Sequence, residues 1–134
     1  MSEMIGIDTN VLVRYITQDD KQQADKANQF IDDKLSLDNA GIISKIVLCE
    51  LTWVLSNAYG YSRKDISNVI QQILITQEFV MEDSDLAQQA LQSYQNGNAG
   101  FADYFLAQTH SEMGAGNTVT FDKKAAKSEL FQLL

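Results

Sequence analysis

Apolar and polar positions follow one another along the chain in a pattern that predicts short strands alternating with helices. An apolar run over 4–8 ends in an acid, and helical spacing follows over 10–16, which predicts a strand and then a helix. Small and apolar residues lie on one face of a charged segment over 19–35, which predicts an amphipathic helix. The run over 40–43 is then expected to form a second strand.

The remainder of the chain continues this alternation and contains clear signals for helix ends. Ser44 is a suitable N-cap for a helix that runs to about Tyr59, where Gly60 is a natural stop. Ser62 and Asp65 have the spacing of a capping box, so a helical hairpin is expected. The pattern then predicts strands over 78–82, 118–121 and 131–134, and helices over 83–95, 101–113 and 122–129.

The order of these elements predicts an α/β fold. Strands that alternate with helices usually form a mostly parallel sheet with helices on both faces, and ligands bind at the carboxyl ends of the strands. A chain of 134 residues with 45% hydrophobic and 21% charged residues can bury a sizeable core. We therefore expect a single domain over 1–134.

The sequence indicates a protein of the cytoplasm. The N-terminal residues do not resemble a secretory signal, and the longest apolar stretch, 46–55, is interrupted by an acid and too short for a membrane span. Its one cysteine, Cys49, cannot form an internal disulfide. We expect no membrane association.

The balance of charge limits how the protein can bind nucleic acid. Ten Lys and Arg against eighteen Asp and Glu give a formal net charge of −8, which argues against a broad basic surface. A nucleic-acid function would have to use a local site, where bound divalent cations can bring phosphates close to an acidic protein.

Glu50 is the most informative acid, because its neighbours three and four positions away along the predicted helix are all apolar: Ile46, Val47, Trp53 and Val54. This pattern predicts a carboxylate in the middle of a buried face. Such a group must be protonated, paired with a cation or bound to a metal. Alternatively, Glu50 lies at the edge of that face and reaches solvent or Arg14.

Three aspartates also stand at positions of interest, although each has an ordinary structural explanation. Asp103 lies in the first turn of an apolar helix, where the helix dipole favours it, and Asp8 and Asp122 lie between a strand and a helix, where N-caps are common. An alternating α/β order would nevertheless bring all three to the same edge of the sheet as Glu50. Four such carboxylates would repel one another, and their oxygen atoms suit Mg²⁺ or Mn²⁺.

These residues resemble those of the PIN-domain nucleases, in particular the VapC toxins of bacterial and archaeal toxin–antitoxin pairs. The resemblance covers most of the chain. It rests on four fragments: Asp8-Thr9-Asn10 after the first strand, Leu48-Cys49-Glu50-Leu51, Phe101-Ala102-Asp103-Tyr104, and Thr120-Phe121-Asp122 after a late strand.

The resemblance implies a three-layer sandwich around a central five-stranded parallel sheet, with an acidic pocket that binds one or two Mg²⁺ or Mn²⁺ ions. Asp8, Glu50, Asp103 and Asp122 match the acidic positions of the family, while two supporting polar positions are matched by Asn10 and Thr120. The implied function is a metal-dependent endoribonuclease that hydrolyses RNA, commonly tRNA or ribosomal RNA. The resemblance further implies a homodimer that a small antitoxin neutralises.

Other classes of function remain open at the level of sequence. A non-catalytic protein-interaction module could use the same acidic pocket to capture an Arg or Lys of a partner. A phosphoacceptor receiver domain usually has adjacent acids after its first strand, whereas Asp8 is followed by Thr9. A phosphatase of the haloacid dehalogenase type would need an acid at the position of Asn10 and ranks lower.

Overall fold

The computed structural model describes residues 3–134, and the chain forms two compact units, one up to Glu82 and the other Asp83–Leu134. The first unit contains a parallel sheet of three strands in the order β1-β2-β3. Its strands are β1 (Ile5–Gly6), β2 (Gly41–Ile43) and β3 (Phe79–Met81). Because the strands are parallel, the segments that follow them leave the sheet at one edge.

Helices connect the strands of the first unit, and they begin and end where the sequence signals predict. Ser44 Oγ accepts a hydrogen bond from the Val47 N–H, and Ser62 and Asp65 form the predicted capping box. Gly60, three residues after the last residue of the hairpin's first helix, has a φ of 69°, a conformation that favours glycine. The helices are α1 (Thr9–Thr17), α2 (Lys21–Asn28) with a π-helical continuation (Gln29–Lys34), α3 (Lys45–Asn57) and α4 (Arg63–Ile75).

The second unit combines two helices with a smaller parallel sheet of two strands. Its helices, which pack on each other, are α5 (Ser84–Asn96) and α6 (Phe101–Glu112), and its strands are β4 (Thr118–Thr120) and β5 (Phe131–Leu133). Phe101 makes edge-to-face contacts with Tyr94 and Phe105, and all three rings are buried. The short helix predicted over 122–129 is only a 3₁₀ turn, Ala125–Lys127.

The α/β class and the parallel pairing of the strands are confirmed. The five strands lie in one sheet of three and one sheet of two, so a single five-stranded sheet with helices on both faces stays a prediction.

Over residues 3–134 no helix combines the length and the apolar character that crossing a bilayer requires.

Helix α3 buries a different face from the one that the sequence predicted. Leu48, Leu51 and Leu55 are fully buried, whereas Ile46 and Trp53 are 71% and 66% exposed. Glu50 shares the exposed face with the latter two residues. The prediction of a buried Glu50 is therefore wrong, and its carboxylate reaches solvent, as the alternative interpretation held.

Candidate functional site

Asp8 lies two residues after β1 and caps the helix that follows, α1. Its Oδ1 accepts a hydrogen bond of 2.9 Å from the Thr9 N–H, and its backbone is extended, as at an ordinary N-cap. Among residues 3–134 nothing donates a hydrogen bond to Oδ2. The cap therefore orients the carboxylate and leaves one oxygen available for a ligand.

A cavity of about 490 Å³ opens beside Asp8. Arg14 lines it and is held firmly, because its Nε donates to Gln23 at 2.7 Å and its Nη1 donates to Tyr59 at 2.9 Å and to Asp19 at 3.1 Å. The side chains around the cavity that carry polar or aromatic groups are Asp8, Asn10, Arg14, Gln23, Lys26 and Phe30. This cavity can hold a group of nucleotide size next to Asp8.

Glu50 lies in the second turn of α3, and a residue with no predicted role, Glu82, holds the start of this helix. Glu82 follows β3, and its Oε1 accepts a hydrogen bond of 2.8 Å from the Lys45 N–H at the first residue of α3. Ser44 caps the same helix end. Glu82 thus positions α3, and the signal that could have found it is the one used for Asp8, an acid directly after a strand.

Asp103 and Asp122 form a second pair of acids. Asp103 Oδ2 accepts a hydrogen bond of 3.1 Å from the Gly100 N–H, and Asp122 Oδ1 accepts bonds of 2.8 and 3.3 Å from the N–H groups of Lys124 and Ala125. Burial raises the pKa of Asp103, the Gly100 bond opposes this, and the charge of Asp122 raises it further. Burial and, to a smaller extent, the charge of Asp122 therefore disfavour the charged form of Asp103.

The two supporting residues have different surroundings. Thr120 Oγ1 accepts a hydrogen bond of 3.0 Å from the Asp122 N–H, so it orients the turn that carries this acid. Asn10 is exposed and lines the cavity beside Asp8. Thr120 therefore acts on Asp122 through the backbone.

The structure thus gives one pair of interacting acids, Asp103 with Asp122 in the second unit, while Asp8 and Glu50 both belong to the first unit. Within either unit, as far as residues 3–134 extend, no three His, Cys, Asp or Glu side chains form a group with metal-binding spacing. The convergence of all four acids stays a prediction. The donor chemistry fits a hard divalent cation, because each aspartate has a carboxylate oxygen beyond the one used in its cap.

The similarity to known proteins extends over residues of both units. The family model described as PIN domain matches residues 5–129. The chain is also similar to a protein named VapC ribonuclease from Aquifex aeolicus (strain VF5), with 23% identity over 121 residues, which are 90% of this chain and 89% of that protein. The predicted resemblance is confirmed, and the chain belongs to the PIN-domain family.

Proposed function

We propose that this protein is a metal-dependent endoribonuclease that hydrolyses RNA phosphodiester bonds and acts as the toxin of a toxin–antitoxin pair. Membership of the PIN-domain family and the similarity to a VapC ribonuclease support the proposal. The family match over residues 5–129 carries the proposal. The Asp103–Asp122 pair adds to it, because a bound cation would stabilise the charged form of Asp103, which burial and the charge of Asp122 disfavour. The match of one family model to residues 5–129 supports the proposal that the chain is a single domain.

In this proposal Asp8, Glu50, Asp103 and Asp122 hold Mg²⁺ or Mn²⁺. When bound, the ion supplies an activated water molecule and stabilises negative charge on the phosphate and the leaving oxygen. The protein contributes orientation, because backbone N–H groups fix one oxygen of each aspartate. Thr120 holds the turn at Asp122, and the cavity beside Asp8 accommodates part of the RNA.

The test compares Asp8→Asn with a control at another helix N-cap. Asp20 Oδ1 accepts a hydrogen bond of 3.1 Å from the Gln23 N–H at the start of α2, so Asp20→Asn makes the same substitution at another aspartate N-cap. Asparagine caps helices about as well as aspartate, so both variants should fold. We expect RNA cleavage by wild type and Asp20→Asn with Mg²⁺ or Mn²⁺, no cleavage with EDTA, and none by Asp8→Asn. Full activity of Asp8→Asn would contradict the assignment.

We also propose that the protein works in the cytoplasm with a small antitoxin and a second copy of itself as partners. The exposed face of α3 supports a protein contact, since two large apolar side chains, Ile46 and Trp53, lie there in solvent. Light scattering at tens of micromolar protein should give a dimer mass for wild type and a monomer mass for Trp53→Ser. The exposed Met113, in α6's C-terminal turn, provides a control, Met113→Ser, that should not change the mass.

A second candidate is a non-catalytic module that binds protein partners, and the position of Glu50 between Ile46 and Trp53 on an exposed face favours it. Metal binding separates the two functions, because a ligand that binds only the folded state raises the melting temperature. Millimolar Mg²⁺ or Mn²⁺ should raise it for the nuclease. An unchanged melting temperature together with no RNA cleavage would favour the interaction module.

A further inference from the structure

The basic residues of the second unit are concentrated in one short segment. Residues 83–134 contain three lysines and no arginine, and all three lysines fall within positions 123–127. Residues 83–134 also contain six acids, which are spread from Asp83 to Glu129. Over 121–129 the three lysines outnumber the two acids, Asp122 and Glu129, in a chain whose net charge is −8.

The three lysines, Lys123, Lys124 and Lys127, are exposed and available to a ligand. Over residues 3–134, none of the three ammonium groups is found in an ion pair. The neighbouring acid, Asp122, is engaged through Oδ1 with backbone N–H groups and not with a lysine ammonium group. The positive charge is therefore not neutralised within the part of the chain that the structure describes.

An aromatic ring precedes the lysines. Phe121 is 80% exposed, as much as any large apolar residue of the described chain. An exposed ring beside cationic groups is the arrangement with which proteins hold single-stranded nucleic acid, because bases stack on the ring while phosphates pair with the lysines. A duplex hides the faces of its bases and cannot use such a ring.

The backbone that carries these side chains is held in place. Asp122 receives bonds at Oδ1 from two N–H groups of the turn, its own N–H donates to Thr120 Oγ1 at 3.0 Å, and its carbonyl accepts from the Ala126 N–H at 3.0 Å. Ala125 anchors the turn, since it is buried. The phenyl ring and the ammonium groups are thus presented from a fixed turn whose centre is Asp122.

We propose that Phe121, Lys123, Lys124 and Lys127, together called the 121–127 patch, form the binding site for single-stranded RNA. The lysines bind the phosphates on either side of an unpaired nucleotide whose base stacks on Phe121. As the substrate site of a nuclease, the patch rests on the proposed function and explains how an acidic protein holds a polyanion. RNA bound there lies directly beside Asp122.

The experiment measures RNA affinity separately from cleavage. Binding of a fluorescent single-stranded oligoribonucleotide is followed by anisotropy, in EDTA and in an Asp8→Asn background, over a range of salt concentrations. The test variant replaces Lys123, Lys124 and Lys127 by Gln, and the control replaces Lys21, Lys34 and Lys64 by Gln. All six lysines are exposed, so the two variants undergo the same change in net charge.

We expect the test variant to bind about tenfold or more weakly at moderate salt. The slope of log affinity against log salt should fall by about 2, because each phosphate contact on a single strand contributes roughly 0.7. The control should change the affinity by less than about twofold. Phe121→Leu keeps an apolar side chain without a ring, and it should weaken binding roughly fivefold or more with no change in the slope.

Three results would overturn the proposal. The two lysine variants could weaken RNA binding equally, or the wild-type protein could bind duplex and single-stranded RNA with equal affinity. The third result is that the wild-type protein binds poly-glutamate, another polyanion, but does not bind RNA. Failure of the proposed function gives a different result. If wild type binds RNA through the patch but never cleaves it, the binding site stands and the nuclease assignment fails. If wild type cleaves RNA and the lysine variant binds normally, only the patch is refuted.

Discussion

Asp103, in the first turn of α6, interacts electrostatically with Asp122, in the turn that follows β4. Partial burial is the first cause of the raised pKa of Asp103, the hydrogen bond from the Gly100 N–H opposes it, and the negative charge of Asp122 adds to it. In the absence of metal, the charged form of Asp103 is therefore unfavourable in the folded protein. Removal of this charge should therefore change the stability of the folded protein.

Asp103→Asn should stabilise the metal-free protein at neutral pH. Asparagine still offers an oxygen to the Gly100 N–H and removes the unfavourable charge. Because the folded pKa lies above the ordinary value of 3.8, the cost of Asp103 is absent below that pH, grows as pH rises through the folded pKa and is then constant. Urea unfolding in EDTA between pH 3 and 8 should show this widening difference. A variant less stable than wild type at pH 7 would contradict it.

Addition of metal should reverse the order of stability of these two proteins. Mg²⁺ or Mn²⁺ at millimolar concentration should raise the melting temperature of wild type more than that of Asp103→Asn, since the variant has lost a charged ligand. Ca²⁺, which is larger and also oxygen-seeking, provides a comparison of ion size. Equal shifts for both proteins would show that Asp103 does not bind the ion.

Asp19 should stabilise the folded protein against unfolding in acidic solution. The hydroxyl of Tyr59 donates to Asp19 at 2.5 Å and is the main reason that the pKa of Asp19 is lowered to about 2, followed by the hydroxyl of Thr17. The stability that this gives is present above the ordinary pKa of 3.8 and is lost as pH falls toward 2. Asp19→Asn should lose this part of the pH dependence, and Tyr59→Phe should shift it to higher pH. Unfolding curves between pH 2 and 5 test both.

Tyr104→Phe should destabilise the folded protein, because it releases the segment that precedes α6. The Tyr104 hydroxyl accepts hydrogen bonds from the N–H groups of Asn98 at 3.1 Å and Ala99 at 3.2 Å, and Ala99 is buried. Loss of this acceptor should lower the free energy of unfolding by about 1–3 kcal/mol. Tyr15→Phe, which removes a hydroxyl that donates to the exposed Asp32, should cost about 0.5 kcal/mol or less. Similar losses from the two variants would refute the prediction.

Thr9→Val should increase stability. The Thr9 side chain is buried, and its hydroxyl has no hydrogen-bond partner within residues 3–134. Valine keeps the shape and removes the unpaired polar group, which should raise the free energy of unfolding by about 1 kcal/mol. Thr9→Ser keeps the hydroxyl and deletes a buried methyl group, so chemical denaturation should show the opposite sign. Loss of stability in Thr9→Val would indicate that the hydroxyl is satisfied.

The features that the sequence predicted correctly depend on neighbours along the chain. The caps at Ser44 and Ser62, the stop at Gly60 and the placement of Asp8 and Asp103 at helix starts are set by bonds that span a few residues. Local hydrogen bonding and backbone preference are enough to determine these features. Family membership followed from the same kind of local fragment, read in order along the chain.

Tertiary structure alone decided which side of α3 is buried. Leu48, Leu51 and Leu55 repeat with helical spacing, but so do Ile46 and Trp53, and periodicity cannot say which set packs inside. Glu50 was assigned to the wrong face for this reason. The bond between Tyr59 and Asp19 and the coupling of Asp103 to Asp122 likewise arise between residues distant in sequence, where packing and local dielectric determine the energy.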